Sequence, residues 1–133
     1  MFKKVLLLAS AGLMVMGSAA AAEKVKIGFV TTITTPAGVI GRDMVDAVNL
    51  AMEDIGGKMA GRDVELIIED DGFKPAIGKQ KTDKLVKQDK VQFVTGFIWS
   101  HVLLASQKSA LGAGKFLISS NAGPSQMAGK LCH

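Results

Sequence analysis

The chain has 133 residues, of which 48% are hydrophobic and 21% charged, with a formal net charge of +4. That balance is globular and excludes a disordered or low-complexity chain. A single cysteine excludes an internal disulfide scaffold and a paired-cysteine zinc site.

Met1-Phe2-Lys3-Lys4 is basic, Val5 to Met16 is apolar, and Gly17 to Ala22 consists of small residues. This is the order of a secretory signal peptide. The peptidase admits only small side chains one and three places before the cut, so Ala20 and Ala22 give a cut before Glu23 and Ala19 and Ala21 one before Ala22; cleavage is expected near Ala22. Residues 1–22 then form the leader and residues 23–133 the folded part. A transmembrane anchor is the competing reading, but the stretch is rich in Ala and no basic stop-transfer cluster follows at once. No cysteine near the cut offers a lipid anchor. The leader also removes Lys3 and Lys4, so the positive balance is a weak argument for nucleic acid, and none is expected as a partner. With this leader the chain is expected to be exported.

After the leader, Val25 to Val30 reads as a strand ending at Thr31-Thr32. A loop with Thr34, Thr35 and Pro36 leads to a helix from about Ile40 to Ile55. Met44, Ala47, Val48, Ala51, Met52 and Ile55 give that helix one apolar stripe. Gly56-Gly57 stops it, because glycine accepts the left-handed cap conformation. Arg62 to Ile68 is the second strand, ending in the acidic turn Glu69-Asp70-Asp71-Gly72. Pro75 opens a second helix, which runs to about Gln88 and carries a lysine-rich outer face. Val91 to Gly96 is a third strand and Ser100 to Leu111 a third helix, stopped by Gly112-Ala113-Gly114. Lys115 to Ile118 is the fourth strand. Ser119 to His133 reads as loop with at most one helical turn.

Alternating strands and helices predict a doubly wound α/β lobe around a parallel sheet. Ligands of such sheets sit outside the carboxyl ends of the strands, which selects four loops: Thr31 to Gly41, Glu69 to Lys74, Gly96 to His101 and Ser119 to Gln126. Glu69-Asp70-Asp71 lacks a spaced further ligand and reads as a turn whose acids offset a helix dipole, so no metal is expected. A phosphoreceiver would need a carboxylate at a second strand end, where Thr95-Gly96 stands. Gly112-Ala113-Gly114-Lys115 precedes a strand rather than following one, so it is a helix stop and not a phosphate loop. Ser100 and His101 are adjacent on a helix and diverge, and no Gly-x-Ser-x-Gly elbow exists. No catalytic residue and no cofactor are expected. Ser100 has a better use at the start of the third helix, where backbone amides and a hydroxyl converge and suit a carboxylate. A plain helix cap is the competing reading. The loop Ser119-Ser120-Asn121-Ala122-Gly123 stands at the next strand end with small residues that let backbone approach a ligand.

The leader, Val25-Lys26-Ile27-Gly28, Gly41 ahead of Asp46-Ala47-Val48-Asn49-Leu50-Ala51, Glu69-Asp70-Asp71, Gly96-Phe97-Ile98-Trp99-Ser100 and Ile118-Ser119-Ser120-Asn121-Ala122 together carry a resemblance. The chain resembles the start of an extracytoplasmic solute-binding protein of an ABC importer, of the branched-chain amino acid type. The resemblance implies a type I periplasmic binding fold, of which this chain holds only the N-terminal part of the first lobe. It implies capture of a small carboxylate such as a branched-chain amino acid, without chemistry, and delivery to permease subunits in the inner membrane by a protein that is monomeric at full length. By position, Ser100 matches the serine that takes the ligand carboxylate. Asn121 and Gly123 match positions that hold an amino group, Ile40 matches a pocket-lining residue, and Trp99 and Ala122 flank these.

The sequence departs from the family pattern at three places. Gly123 has no hydroxyl, Ile40 is not aromatic, and Phe73 and Trp99 occupy positions that carry a disulfide in some members. A stacked aromatic pair is expected instead of that link. An aromatic or aliphatic acid is therefore a ligand beside the amino acids. A sensor ectodomain of the same fold, and a secreted enzyme using the acidic turn or His101 with a metal, are the rival functions. Cys132 is expected to pair with a cysteine beyond this sequence.

Overall fold

The computed structural model describes residues 23–129; the expected leader and Cys132 lie outside them. Five strands, β1 (Val25–Thr31), β2 (Lys58–Met59), β3 (Arg62–Asp70), β4 (Phe93–Gly96) and β5 (Phe116–Ser119), form one sheet in the order β2-β3-β1-β4-β5. β1 pairs in parallel with β3 and β4, and β4 in parallel with β5. Three helices connect them: α1 (Val39–Asp54), α2 (Pro75–Lys87) and α3 (Ser100–Leu111). The expected α/β lobe is present, and each expected strand and helix is found within a few residues of its expected bounds.

β2 was not expected. It pairs antiparallel with β3, Lys58 opposite Asp63 and Met59 opposite Arg62, so the sheet is mixed at that edge. Two residues are too few to show an alternating pattern in sequence. The glycine stop before it holds as read. Gly56 and Gly57 lie at φ +62° and +65°, and their amides bond back to the Glu53 and Met52 carbonyls.

The core lies between one sheet face and the pair α2 and α3. Val30, Leu85, Val91, Val94, Phe97, Val102 and Leu103 are fully buried there. Each such side chain contributes roughly 1.5–3 kcal/mol relative to exposure. Alternation along β1 and β4 sends Val30 and Val94 into this core and Phe29 and Thr95 to the opposite face, where α1 lies.

The apolar stripe of α1 is not buried as its periodicity predicts. Ala47 and Ala51 are exposed, Ile55 is 43% exposed, and Gly41 is the helix's buried residue among those described. A cavity of about 330 Å³ separates Met44, Ala47 and Val48 from Phe29, Thr95 and Ser120 on the sheet. Phe116 and Ile118 of β5 stand on the same face, 67% and 58% exposed. Periodicity identifies the apolar side of a helix but not what covers it.

The strand order fixes the site. From β1 the chain passes through β2 and β3 on one side of β1, then returns to β4 on the other. The carboxyl ends of β1 and β4 therefore flank the topological switch point, where such sheets open a crevice.

Candidate functional site

The rim at this crevice is built from loops tied to one another by hydrogen bonds. After β1, the Ile33 amide bonds the Asp70 carboxylate at 2.9 Å and the Thr34 hydroxyl bonds its other oxygen at 2.5 Å. The Gly72 amide adds a third bond at 3.0 Å. Burial works to raise the Asp70 pKa, but the Thr34 hydroxyl and the Gly72 and Ile33 amides hold it below the usual 3.8. Asp71 is fully buried; its Oδ1 accepts from the Thr32 hydroxyl at 2.5 Å and from the Phe73 amide at 2.8 Å. Glu69, 8% exposed, faces the other way and pairs with Lys81 and Lys84, each at 2.7 Å. The acidic turn is thus a clasp between the β1 and β3 ends. It does not offset a dipole in the first turn of α2, which holds no acid and is capped by Lys74.

Gly96 ends β4 at φ +99°, and a Cβ there would lie 2.3 Å from the Val30 carbonyl oxygen. Only glycine lets the two strand ends close to this distance. Phe97 follows at φ +60°, and its amide bonds the Val30 carbonyl at 2.6 Å. Trp99 is the N-cap residue of α3, at φ −107° and ψ 128°, and makes no side-chain cap. Ser100 is therefore not a cap but the first helical residue, and it is exposed. The Val102 and Leu103 amides both reach the Trp99 carbonyl, at 3.1 and 3.0 Å. The amides of Ser100 and His101 are left outside the helix's own ladder, which makes the helix start an acceptor site for negative charge.

The loop after β5 is anchored against this helix start. The Ser120 amide bonds the Gly96 carbonyl at 3.0 Å, the Ala122 amide bonds the Phe97 carbonyl at 2.9 Å, and the Ser119 hydroxyl caps the Ala122 carbonyl. Ala122 is buried, while Asn121 and Gly123 on either side are exposed. Space around Gly123 is open to 4 Å.

The structure brings Trp99, Ser100, Asn121, Ala122 and Gly123 to one rim. Ile40 stands in the first turn of α1, 44% exposed, across the β1 loop from them. None of these six lines the cavity beneath α1 or the one beside β5. Phe73 and Trp99 do meet, with centroids 4.8 Å apart, but at 80°, edge to face rather than stacked. His101 joins them, 5.1 Å from Phe73 at 88°.

Sequence reasoning missed Thr32 and Asp71. Thr32 is fully buried and accepts the Trp99 Nε1–H at 3.0 Å. The available signal was a pair of threonines at a strand end followed by acids at the next strand end. Among the described residues, no group of three His, Cys, Asp or Glu could hold a metal ion, and no helix is long and apolar enough to cross a membrane.

A family model described as periplasmic binding protein matches residues 24–133. The chain belongs to the periplasmic binding protein family. Solved members share its fold. An ABC transporter substrate-binding protein from Sphaerobacter thermophilus is 32% identical with a TM-score of 0.75, covering 79% of this chain and 28% of its own. The branched-chain amino acid transporter substrate binding protein LivJ from Streptococcus pneumoniae, solved with isoleucine, is 29% identical with a TM-score of 0.72, covering 77% and 30%. A solute binding protein of an ABC transporter from Rhodopseudomonas palustris BisB5, solved with 3,4-dihydroxybenzoic acid, is 28% identical with a TM-score of 0.75, covering 78% and 29%. The chain thus spans less than a third of these family members. No curated protein matches it.

Proposed function

We propose that this chain supplies one wall of the ligand cleft of an extracytoplasmic solute-binding protein of an ABC importer. The wall takes a small carboxylate and holds it, unconverted, for delivery to membrane permease subunits. The observation that carries the reading is the helix start of α3: exposed Ser100 and unladdered amides at a topological switch point, faced by the anchored Ser119–Gly123 loop. The Ser100 hydroxyl and the helix-start amides receive the carboxylate. Asn121 and the Gly123 backbone take a ligand amino group or a second polar group. Ile40, Trp99 and Ala122 form the apolar surround.

The two ligands in the family structures named above, isoleucine and 3,4-dihydroxybenzoic acid, share a carboxylate and differ in everything else. That supports a common carboxylate end and leaves the rest of the ligand to the apolar surround. An aromatic acid is the second reading, favoured by the Phe73, Trp99 and His101 rings gathered beside Ser100. Under this proposal residues 1–22 are the cleaved leader, residues 23–133 belong to the ligand-binding domain, and the protein works in the periplasm as a monomer without nucleic acid. Calorimetric titration of the full-length protein with isoleucine and with 3,4-dihydroxybenzoate tests it. Heat of binding with one of them supports the reading and selects the class. Binding of neither overturns the carboxylate reading.

A further inference from the structure

Trp99 lies half-buried at the site, in extended conformation before α3, with part of its ring packed against the hydrophobic core. Its polar tether is the Nε1–H bond to Thr32 Oγ1, at 3.0 Å. The Thr32 hydroxyl in turn donates a hydrogen bond to Asp71 Oδ1, at 2.5 Å. An indole N–H only donates, so the Thr32 oxygen accepts from it and the single hydroxyl proton is left to point at Asp71. The chain therefore runs one way, from indole to hydroxyl to carboxylate, and each bond polarises the next. Asp71 Oδ1 also receives the Phe73 amide at 2.8 Å and so holds that residue at φ +64°. One oxygen atom thus links both rings of the edge-to-face pair, Phe73 through its backbone and Trp99 through Thr32.

The arrangement is expensive as mere structure. Thr32 and Asp71 are both fully buried, and Asp71 Oδ2 has no hydrogen-bond partner among the described residues. A buried acid side chain with one oxygen unpartnered costs stability that an apolar pair would not. Beyond clasping the β1 and β3 ends, these bonds orient an indole beside Ser100.

We infer that Thr32 and Asp71 are positioning residues for the ligand wall, acting through a buried relay that sets the Trp99 ring against which the ligand's non-carboxylate part packs. The inference rests on the ligand reading proposed above, and its first test is independent of any ligand. In the ¹⁵N-labelled protein, the Trp99 indole N–H resonance is identified by its loss in Trp99→Phe. It is expected at a hydrogen-bonded position and slow to exchange with solvent. A fast-exchanging indole overturns the relay, whatever any variant does. Thr32→Val, which keeps the shape and removes the hydroxyl, is expected to move that resonance to the position of an unbonded indole, and Thr32→Ser to restore it. Titration with isoleucine and 3,4-dihydroxybenzoate follows. Thr32→Val is expected to weaken the probe that binds by about tenfold, as for loss of one buried hydrogen bond, with recovery in Thr32→Ser. A shifted indole with unchanged affinity overturns the positioning role. Binding of neither probe by the wild type overturns the ligand reading, and the resonance then judges the relay alone.

Discussion

Phe73 touches Trp99 edge to face, 4.8 Å between centroids, from a backbone at φ +64°. Two opposed terms meet at this residue. The ring pair contributes about 0.5–1.5 kcal/mol, and a left-handed conformation costs a non-glycine residue about 1–2 kcal/mol. Phe73→Ala loses the first and keeps the second, while Phe73→Gly loses the first and relieves the second. Urea midpoints should therefore rank the glycine variant above the alanine variant by about 1 kcal/mol. The reverse order would mean that the turn is not strained at this position.

Ser100 is exposed at the first helical position of α3 while Trp99 holds the cap position. Under the proposed function its hydroxyl receives the ligand carboxylate. Ser100→Ala is expected to weaken binding of the preferred carboxylate by about 1–3 kcal/mol in calorimetry while leaving the melting temperature within a degree or two. Equal affinity in the variant would remove Ser100 from the site.

Glu69 pairs with Lys81 and Lys84. Burial works to raise its pKa, but the two lysines hold it below the usual 4.5. A carboxyl lowered in the folded state binds fewer protons there than in the unfolded chain. The stability it contributes is complete above the usual value and is lost as pH falls through the folded one. Asp83 behaves alike: the Lys79 bond outweighs its burial, and with Ser109 and Lys87 brings it from 3.8 to about 2. Stability should therefore decline as pH drops below about 5, and Glu69→Gln should flatten the upper part of that decline. At neutral pH the substitution should cost no more than about 1 kcal/mol, because both lysine partners are open to solvent. A variant whose pH curve parallels the wild type would show that the pairs do not couple to folding.

Gly96→Ala places a methyl 2.3 Å from the Val30 carbonyl oxygen in a backbone at φ +99°. Neither atom can yield, since both belong to paired strands. The expected loss is about 3 kcal/mol in chemical denaturation. The Ser120 amide bonds the Gly96 carbonyl, so the ligand-facing loop should loosen with it, read as faster amide exchange at Ser120 and Ala122. A variant as stable as the wild type would contradict the close approach of β1 and β4.

The layout of the lobe was legible because its signals are local. Pro75 starts a helix, Gly56-Gly57 ends one, and Val25 to Val30 can hardly be anything but strand. These residues act through their own φ, ψ and burial, and so did Ser100, whose place at a helix start follows from the strand before it. What stayed hidden is long-range. Asp71 reads in sequence as one of three turn acids, and only the fold carries it to Thr32, 39 positions earlier. The lysine face of α2 reads as solvated, yet Lys81 and Lys84 close on Glu69 and Lys79 and Lys87 on Asp83. The exposed side of α1 was hidden for a different reason: a helical stripe says which residues are apolar, not whether anything meets them.

Ala122 is pinned and Gly123 is not. The first is buried and bonded to Phe97, while the second has nothing within 4 Å of where a side chain would begin. Its φ is outside the left-handed region, so any residue can stand there without strain. Under the proposed function, a change at position 123 would alter what a ligand meets while the sheet, the helix start and the loop anchor register nothing. If that wall meets the ligand as proposed, selectivity can drift at position 123 by single substitutions at no expense to folding.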